Sequence, residues 1–198
     1  MNLPGVYDIF LEKMNDYQTC YMISDCHFGD TDLQAGFPNR PSDEELVKLI
    51  NSCVGRKDVL WILGDCGDIE YIKKLRGYKV LVAGNHDQNL TAYKEVFDMV
   101  FAGPVMLSPK LILSHEPVDV PWAFNLHGHI HDPKHKNDDH HFNVCSDVIG
   151  YVPINMNQWI KQGYLSHVEN IHRTTIDNAT KRKKKRDKKS FNSHGQKR

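Results

Sequence analysis

A chain of 198 residues fits one domain with room for a buried core. Hydrophobic residues make up 40% and charged residues 25%, the balance of a soluble globular protein. No apolar run approaches the roughly 18 residues of a membrane span, so no membrane partner is expected. The opening MNLPGVYDIFLEKMND is acidic and broken by Pro4 and Gly5. It lacks the basic and apolar regions of a secretory signal, which points to the cytoplasm. The five cysteines, Cys20, Cys26, Cys53, Cys66 and Cys145, form no C-x-x-C pair. Reduced thiols fit that pattern better than a disulfide framework or a zinc finger.

The formal net charge of zero hides two different objects. Residues 181–198 hold 10 basic residues and one acid, Asp187, whereas the other 180 residues hold 15 basic and 24 acidic ones. An acidic body of −9 therefore carries a tail of +9. Three segments are expected: an N-terminal extension over 1–18, helical around Tyr7–Asn15; a domain over 19–173; and a basic, disordered tail over 174–198.

Along the body, short apolar runs rich in β-branched and aromatic residues read as buried strands at Cys20–Ser24, Asp58–Leu63, Lys79–Ala83 and Leu111–Leu113, with another at Phe142–Cys145. Between them Pro41–Val54 reads as a helix. Ser42 and Glu45 make a capping box, Leu46, Leu49, Ile50 and Cys53 form an apolar stripe, and Gly55 ends it. Further helices are expected at Ile69–Arg76, Leu90–Phe97 and Asn157–Lys161. The segments Phe28–Arg40 and Pro117–Phe124 read as loops, and His135–His141 as an exposed one. Strand–helix alternation predicts an α/β fold.

Four of the strand-like runs end directly in metal-ligand chemistry: Asp25-Cys26-His27, Gly64-Asp65-Cys66-Gly67-Asp68, Gly84-Asn85-His86-Asp87 and Ser114-His115-Glu116. A fifth segment leads into His127-Gly128-His129-Ile130-His131. Ligands of open α/β sheets bind beyond the carboxyl ends of the strands, so these groups should converge on one crevice. If the segments are extended, Asp25 with His27, and His129 with His131, point the same way. Gly64, Gly84 and Gly128 allow tight turns beside bulky ligands. Carboxylate, amide and imidazole donors suit manganese, iron, zinc, cobalt or nickel better than calcium or magnesium. The donors outnumber what one ion needs, and two divalent ions sharing a carboxylate would use them all. Cys26 and Cys66 fit as small packing residues, His127 as a group supporting the ligands, and Trp61, Trp122 and Trp159 as core or pocket wall.

The ordered series D-x-H, G-D-x-x-D, G-N-H-D, H and G-H-x-H, from Asp25 to His131, resembles the calcineurin-like metallophosphoesterase superfamily. The resemblance implies two packed β-sheets flanked by helices, a four-layer sandwich. It implies that Asp25, His27, Asp65 and His131 hold one metal, that Asp65, Asn85, His115 and His129 hold the other, and that Asp65 bridges. His86 would sit by the leaving group, with Asp68 orienting it. The activity implied is hydrolysis of a phosphomonoester or phosphodiester by a hydroxide bridging the two ions, manganese first among them. Two cations about 3.5–4 Å apart lower the pKa of such a water and clamp phosphoryl oxygens. Protein phosphatase relatives carry arginine after G-D-x-x-D, where this chain has Ile69, which argues against that activity. A nuclease is the alternative, its basic tail holding nucleic acid or another polyanion. A non-catalytic scaffold ranks last, because the full ligand set and His86 are present.

Overall fold

In the computed structural model, residues 19–134, 137–166, 168, 180, 181 and 183 are described. The expected helix at Tyr7–Asn15, most of the basic tail, and His135, His167, His172 and His194 lie outside them; Lys181 and Lys183 are exposed.

The apolar runs are strands, and those at 20, 59, 78 and 111 are buried on both faces. The first sheet joins β1 (Cys20–Ile23), β2 (Val59–Ile62), β3 (Tyr78–Val82) and β4 (Met99–Phe101) in parallel, with β9 (Ile154–Asn155) antiparallel to β1 at the far edge. The second sheet has the order β5 (Val105–Ser108), β6 (Leu111–Leu113), β7 (Phe124–His127), β8 (His141–Asn143), parallel except at β5. Side chains alternate with the pleat. Met22, Trp61, Leu63, Val80 and Val82 face Leu113, Phe124 and Leu126 of the second sheet. Ile23, Leu60, Ile62 and Leu81 face the helices. The α/β fold with two packed sheets is thus formed, and the continuous apolar runs are explained by burial on both sides.

Six helices are described: α1 (Thr31–Gly36), α2 (Asp43–Cys53), α3 (Ile69–Ile72), α4 (Leu90–Tyr93), α5 (Ser146–Ile149) and α6 (Met156–Lys161). The capping box of α2 is made: Ser42 Oγ accepts from Glu45 N, and the Glu45 carboxylate accepts from Ser42 N at 3.0 Å. Its Leu46, Val47 and Ile50 are buried against the first sheet, with Ile72 of α3 and Tyr93 of α4 beside them. Three expectations are corrected. Gly55 is not a left-handed cap: α2 stops at Val54 in extended conformation, and Gly55 N donates to Asp58 Oδ2. The helices at 69 and 90 are single turns, loosening into turns before Gly77 and Phe97. The expected loop 28–40 holds α1, capped by Asp30, whose carboxylate accepts from Asp32 N and Leu33 N.

The two sheets are joined at their carboxyl ends. Ser24 N donates to Val144 O, and Ser146 N donates to Ser24 O, each at 3.0 Å. Every ligand-bearing loop leaves a strand at this edge. Trp61 and Trp159 are core, whereas Trp122 is 39% exposed. Among the described residues no helix is long and apolar enough to cross a membrane.

Because the box satisfies backbone donors at an exposed helix start, Ser42→Ala should lower stability by about 1 kcal/mol. Denaturant unfolding should show this as a lower midpoint at unchanged slope; an unchanged midpoint would mean that the box contributes nothing.

Candidate metal centre

The seven expected ligands meet in one network. Asp65 Oδ2 lies 3.4 Å from His27 Nε2 and 3.3 Å from His115 Nε2. His115 Nε2 also lies 2.8 Å from Asn85 Oδ1 and 3.1 Å from His129 Nδ1. On the other side, His131 Nε2 lies 3.4 Å from Asp25 Oδ1, and its ring centroid is 5.2 Å from that of His27. Two donor groups result, Asp25–His27–His131 and Asp65–His115–His129, each close enough to hold a metal ion. His129 and His131 fall in different groups.

Both carboxylates present one oxygen to the backbone and one to the centre. Asp25 Oδ2 accepts from His129 N at 2.9 Å, and Asp65 Oδ1 accepts from His86 N at 3.0 Å. The remaining oxygens point inward, Asp65 Oδ2 between the two groups. The imidazoles are set likewise. His115 Nδ1–H donates to Leu63 O at 2.9 Å and His131 Nδ1–H to Asp147 Oδ2 at 2.7 Å, which turns each Nε2 toward the centre. Asp25 Oδ1 and His27 Nε2 are buried with no hydrogen-bond partner. Buried orphan acceptors are costly. Acceptors gathered on acceptors are what a cation would reconcile, so these residues fit a metal.

The backbone departs from the extended conformation that the i, i+2 argument assumed. Asp25 (φ 57°), His27 (43°), Asp65 (51°) and His129 (67°) are all left-handed. That region is uncommon for residues with a Cβ, and such strain gathers at functional sites. Parallel-bridge hydrogen bonds hold the turns: Asp25 N to Gly64 O at 3.0 Å and His27 N to Asp65 O at 2.9 Å. Gly84 and Gly128 are required by close approach, because a Cβ on Gly84 would overlap Asp65 Oδ1, and one on Gly128 would overlap Asp25 Oδ2.

Four supporting residues carried no role in the sequence reading. Asp87 accepts from Asp65 N (2.8 Å), Cys66 N (3.0 Å) and Gly84 N (2.9 Å), locking the loops after β2 and β3 together. Asp30 Oδ2 lies 3.4 Å from His27 Nδ1. Arg40 and Asp147 form a buried ion pair behind His131. Of these, Asp87 stood inside a quoted motif; the other three lay outside every motif.

His86 is exposed at the rim, its ring edge-on to His27 with centroids 5.4 Å apart. Asp68 does not contact it among the described residues: Asp68 Oδ1 caps α3, accepting from Glu70 N at 2.9 Å, because the helix start leaves donors there. His127 is buried and bonds Gly128 O, while His141, expected to be solvated, is part-buried on β8 beside Asp138. Cys26 and Cys66 are fully buried, and burial pushes both thiols up, which suits packing rather than redox chemistry. A cleft of about 250 Å³ opens beside the centre, lined by Asn85, Pro104, Ser114, His115, Glu116 and Pro117.

No protein-family model matches the chain, and no curated protein matches it. Two solved structures are similar. A protein of unknown function from Aquifex aeolicus shares 23% identity and a TM-score of 0.61, over 73% of this chain and 98% of that one, a likeness of fold. Yfce, a phosphoesterase from E. coli, shares 16% identity and a TM-score of 0.39, over 70% of this chain and 82% of that one.

Burial alone would raise the carboxyls of Asp25, Asp65 and Asp147, but the facing imidazoles of His131 and His115, together with neighbouring donors, outweigh it and hold all three below 3.8. Burial alone would lower His115 and His131. The carboxylates reverse this, raising His115 above 6.5 and His131 to about 12. In the metal-free protein the carboxylate contribution to stability is present above pH 3.8 and lost as pH falls through the depressed values. The imidazole contribution is full below pH 6.5 and lost as pH rises through the raised values. Metal-free protein should therefore unfold at higher denaturant at pH 5.5 than at roughly pH 3 or 9. Metal must displace the imidazole protons, so metal affinity should rise with pH over the same range. Greater metal-free stability at the alkaline end would contradict the raised imidazoles.

Proposed function

We propose that the chain is a metal-dependent phosphoester hydrolase of the calcineurin-like metallophosphoesterase type, using two divalent ions, manganese foremost. The observation that carries this reading is the inward convergence of Asp25 Oδ1, His27 Nε2, Asp65 Oδ2, His115 Nε2 and His131 Nε2, with Asn85 Oδ1 and His129 Nδ1. Charge argues for two ions rather than one. Among the described residues the buried side chains include four carboxylates, Asp25, Asp65, Asp87 and Asp147, against the single guanidinium of Arg40. One divalent ion would leave the centre negative. Two would leave it one charge positive, an attraction for a phosphate oxygen.

Asp25, His27 and His131 would hold one ion and Asn85, His115 and His129 the other, with Asp65 Oδ2 shared. Bound there, the ions would lower the pKa of a water towards neutrality and offset charge on phosphoryl oxygens. The protein supplies the rest. The backbone N–H of His86 fixes Asp65, so the exposed imidazole is carried at the rim beside His27. From there it donates a proton to the leaving oxygen as the phosphorus–oxygen bond breaks. The cleft beside Asn85 and His115 receives the alcohol part of the ester.

The direct test is hydrolysis by metal-reconstituted protein, comparing p-nitrophenyl phosphate, bis-p-nitrophenyl phosphate, cyclic nucleotides, dinucleoside polyphosphates and DNA; no turnover of any would sink the reading. Asp65→Asn should nearly abolish turnover and lower bound metal measured by mass spectrometry. Full occupancy and activity in this variant would exclude a shared carboxylate. His86→Ala should retain metal but lose on the order of 10²–10⁴-fold in rate. The loss should be smaller with p-nitrophenolate as leaving group than with an alkoxide. An equal loss on both would make His86 a phosphate donor rather than an acid.

A further inference from the structure

We infer that Arg40 and Asp147 are positioning residues for one of the two metal sites only, that of Asp25, His27 and His131, which they build by fixing the His131 tautomer and the Asp25-Cys26 backbone together. The inference rests on the dinuclear reading above.

Both side chains are almost fully buried, at 2% and 1% exposure. Arg40 Nη1 donates to both Asp147 oxygens, at 2.8 and 2.7 Å, and lies 3.3 Å from Ser146 Oγ. Its Nη2 donates to Asp25 O at 3.0 Å and to Cys26 O. Ser146 Oγ donates to Asp25 O as well, at 2.8 Å. One guanidinium therefore grips the turn that presents Asp25 and the carboxylate that orients His131. A lysine has no fork with which to do both.

Asp147 could itself be taken for a ligand, since it groups with His131 and Cys145. Its hydrogen bonds argue otherwise. Oδ1 accepts from Arg40 Nη1 and from Tyr151 Oη (2.9 Å), and Oδ2 accepts from Arg40 Nη1 and His131 Nδ1. Three donor groups make four hydrogen bonds to the roughly four lone-pair directions of the carboxylate, leaving none for an ion. Asp147 thus acts through His131, as carboxylates behind metal-bound histidines do. Neither residue touches the Asp65–His115–His129 group through any hydrogen bond or ion pair among the described residues.

The test is calorimetric titration of the metal-free full chain with Mn²⁺, for wild type, Arg40→Lys, Asp147→Asn and Tyr151→Phe, with thermal melts alongside. Wild type should show two binding events. Arg40→Lys and Asp147→Asn should weaken one of them by about 10–100-fold and leave the other unchanged. Tyr151→Phe, which removes one of the four hydrogen bonds to Asp147, should give a smaller loss at the same event. It keeps the test open if the charge variants fail to fold. In Zn²⁺-loaded protein, ¹⁵N–¹H correlation should show His131 protonated at Nδ1 in wild type, and Asp147→Asn should lose that signature. Unchanged affinities in folded variants would overturn the inference. Equal weakening of both events would overturn it too, because that marks a merely structural role. A wild type that binds no Mn²⁺ would instead overturn the metal-centre reading beneath it.

Discussion

Negative charge buried at the shared carboxyl edge of two sheets is the constraint on which the site depends. Asp25, Asp65 and Asp147 are each at least nine-tenths buried within one network, and among the described residues Arg40 is the buried guanidinium, pairing with Asp147 and reaching Asp25 O. A buried carboxylate lacking a partner is expensive, so the fold must supply donors or accept cations. It does both. Backbone N–H groups of His86 and His129 take one oxygen of Asp65 and Asp25, and the other oxygens are left facing imidazole Nε2 atoms whose rings are fixed through Nδ1.

That arrangement requires strain. Four ligand positions hold left-handed backbone at residues with side chains, a conformation costing on the order of 1–3 kcal/mol each. The cost is met by interlocking. The loop after β1 hydrogen-bonds to the loop after β2, the Asp87 carboxylate ties the loop after β2 to that after β3, and Gly128 N donates to His115 O. Each turn is held by its neighbours rather than by its own sequence. The donor atoms are thus placed before any ion arrives, which is what makes a metal site selective in geometry.

Much of this was legible in the sequence, for physical reasons. Strands buried on both faces leave unmistakable apolar runs, and Ser42 with Glu45 announced the start of α2 by pure local chemistry. The candidate ligands were legible because imidazoles and carboxylates stand at the ends of such runs. Supporting residues left no such signal. Asp147 sits in a helical turn, SDVI, and Arg40 in a proline-flanked loop that reads as surface; their ion pair spans 107 positions. Left-handed backbone at Asp25, His27, Asp65 and His129 was not legible either, since aspartate and histidine adopt it more often than most residues but far less often than glycine. Asp68 misled because a carboxylate three residues into a motif reads equally as a partner for His86 or as a helix cap, and only the helix start at Ile69 decides.

The same long-range character has a consequence for how the site and the fold support each other. The donors of the Asp25 group come from the loops after β1 and β7, and those of the Asp65 group from the loops after β2, β6 and β7. Each group therefore takes ligands from both sheets. An ion bound in either would be a cross-link between the layers, at the edge where Ser24 already joins Val144 and Ser146. The apolar interface of Trp61, Leu113, Phe124 and Leu126 holds the layers face to face, but hydrophobic contact is not directional and does not fix their edge to within the tolerance that coordination demands. The hydrogen-bonded seam and the charged network do that. Packing brings the two sheets together, and the hydrogen-bonded seam with the buried carboxylates sets the alignment of the edge where the candidate donors meet.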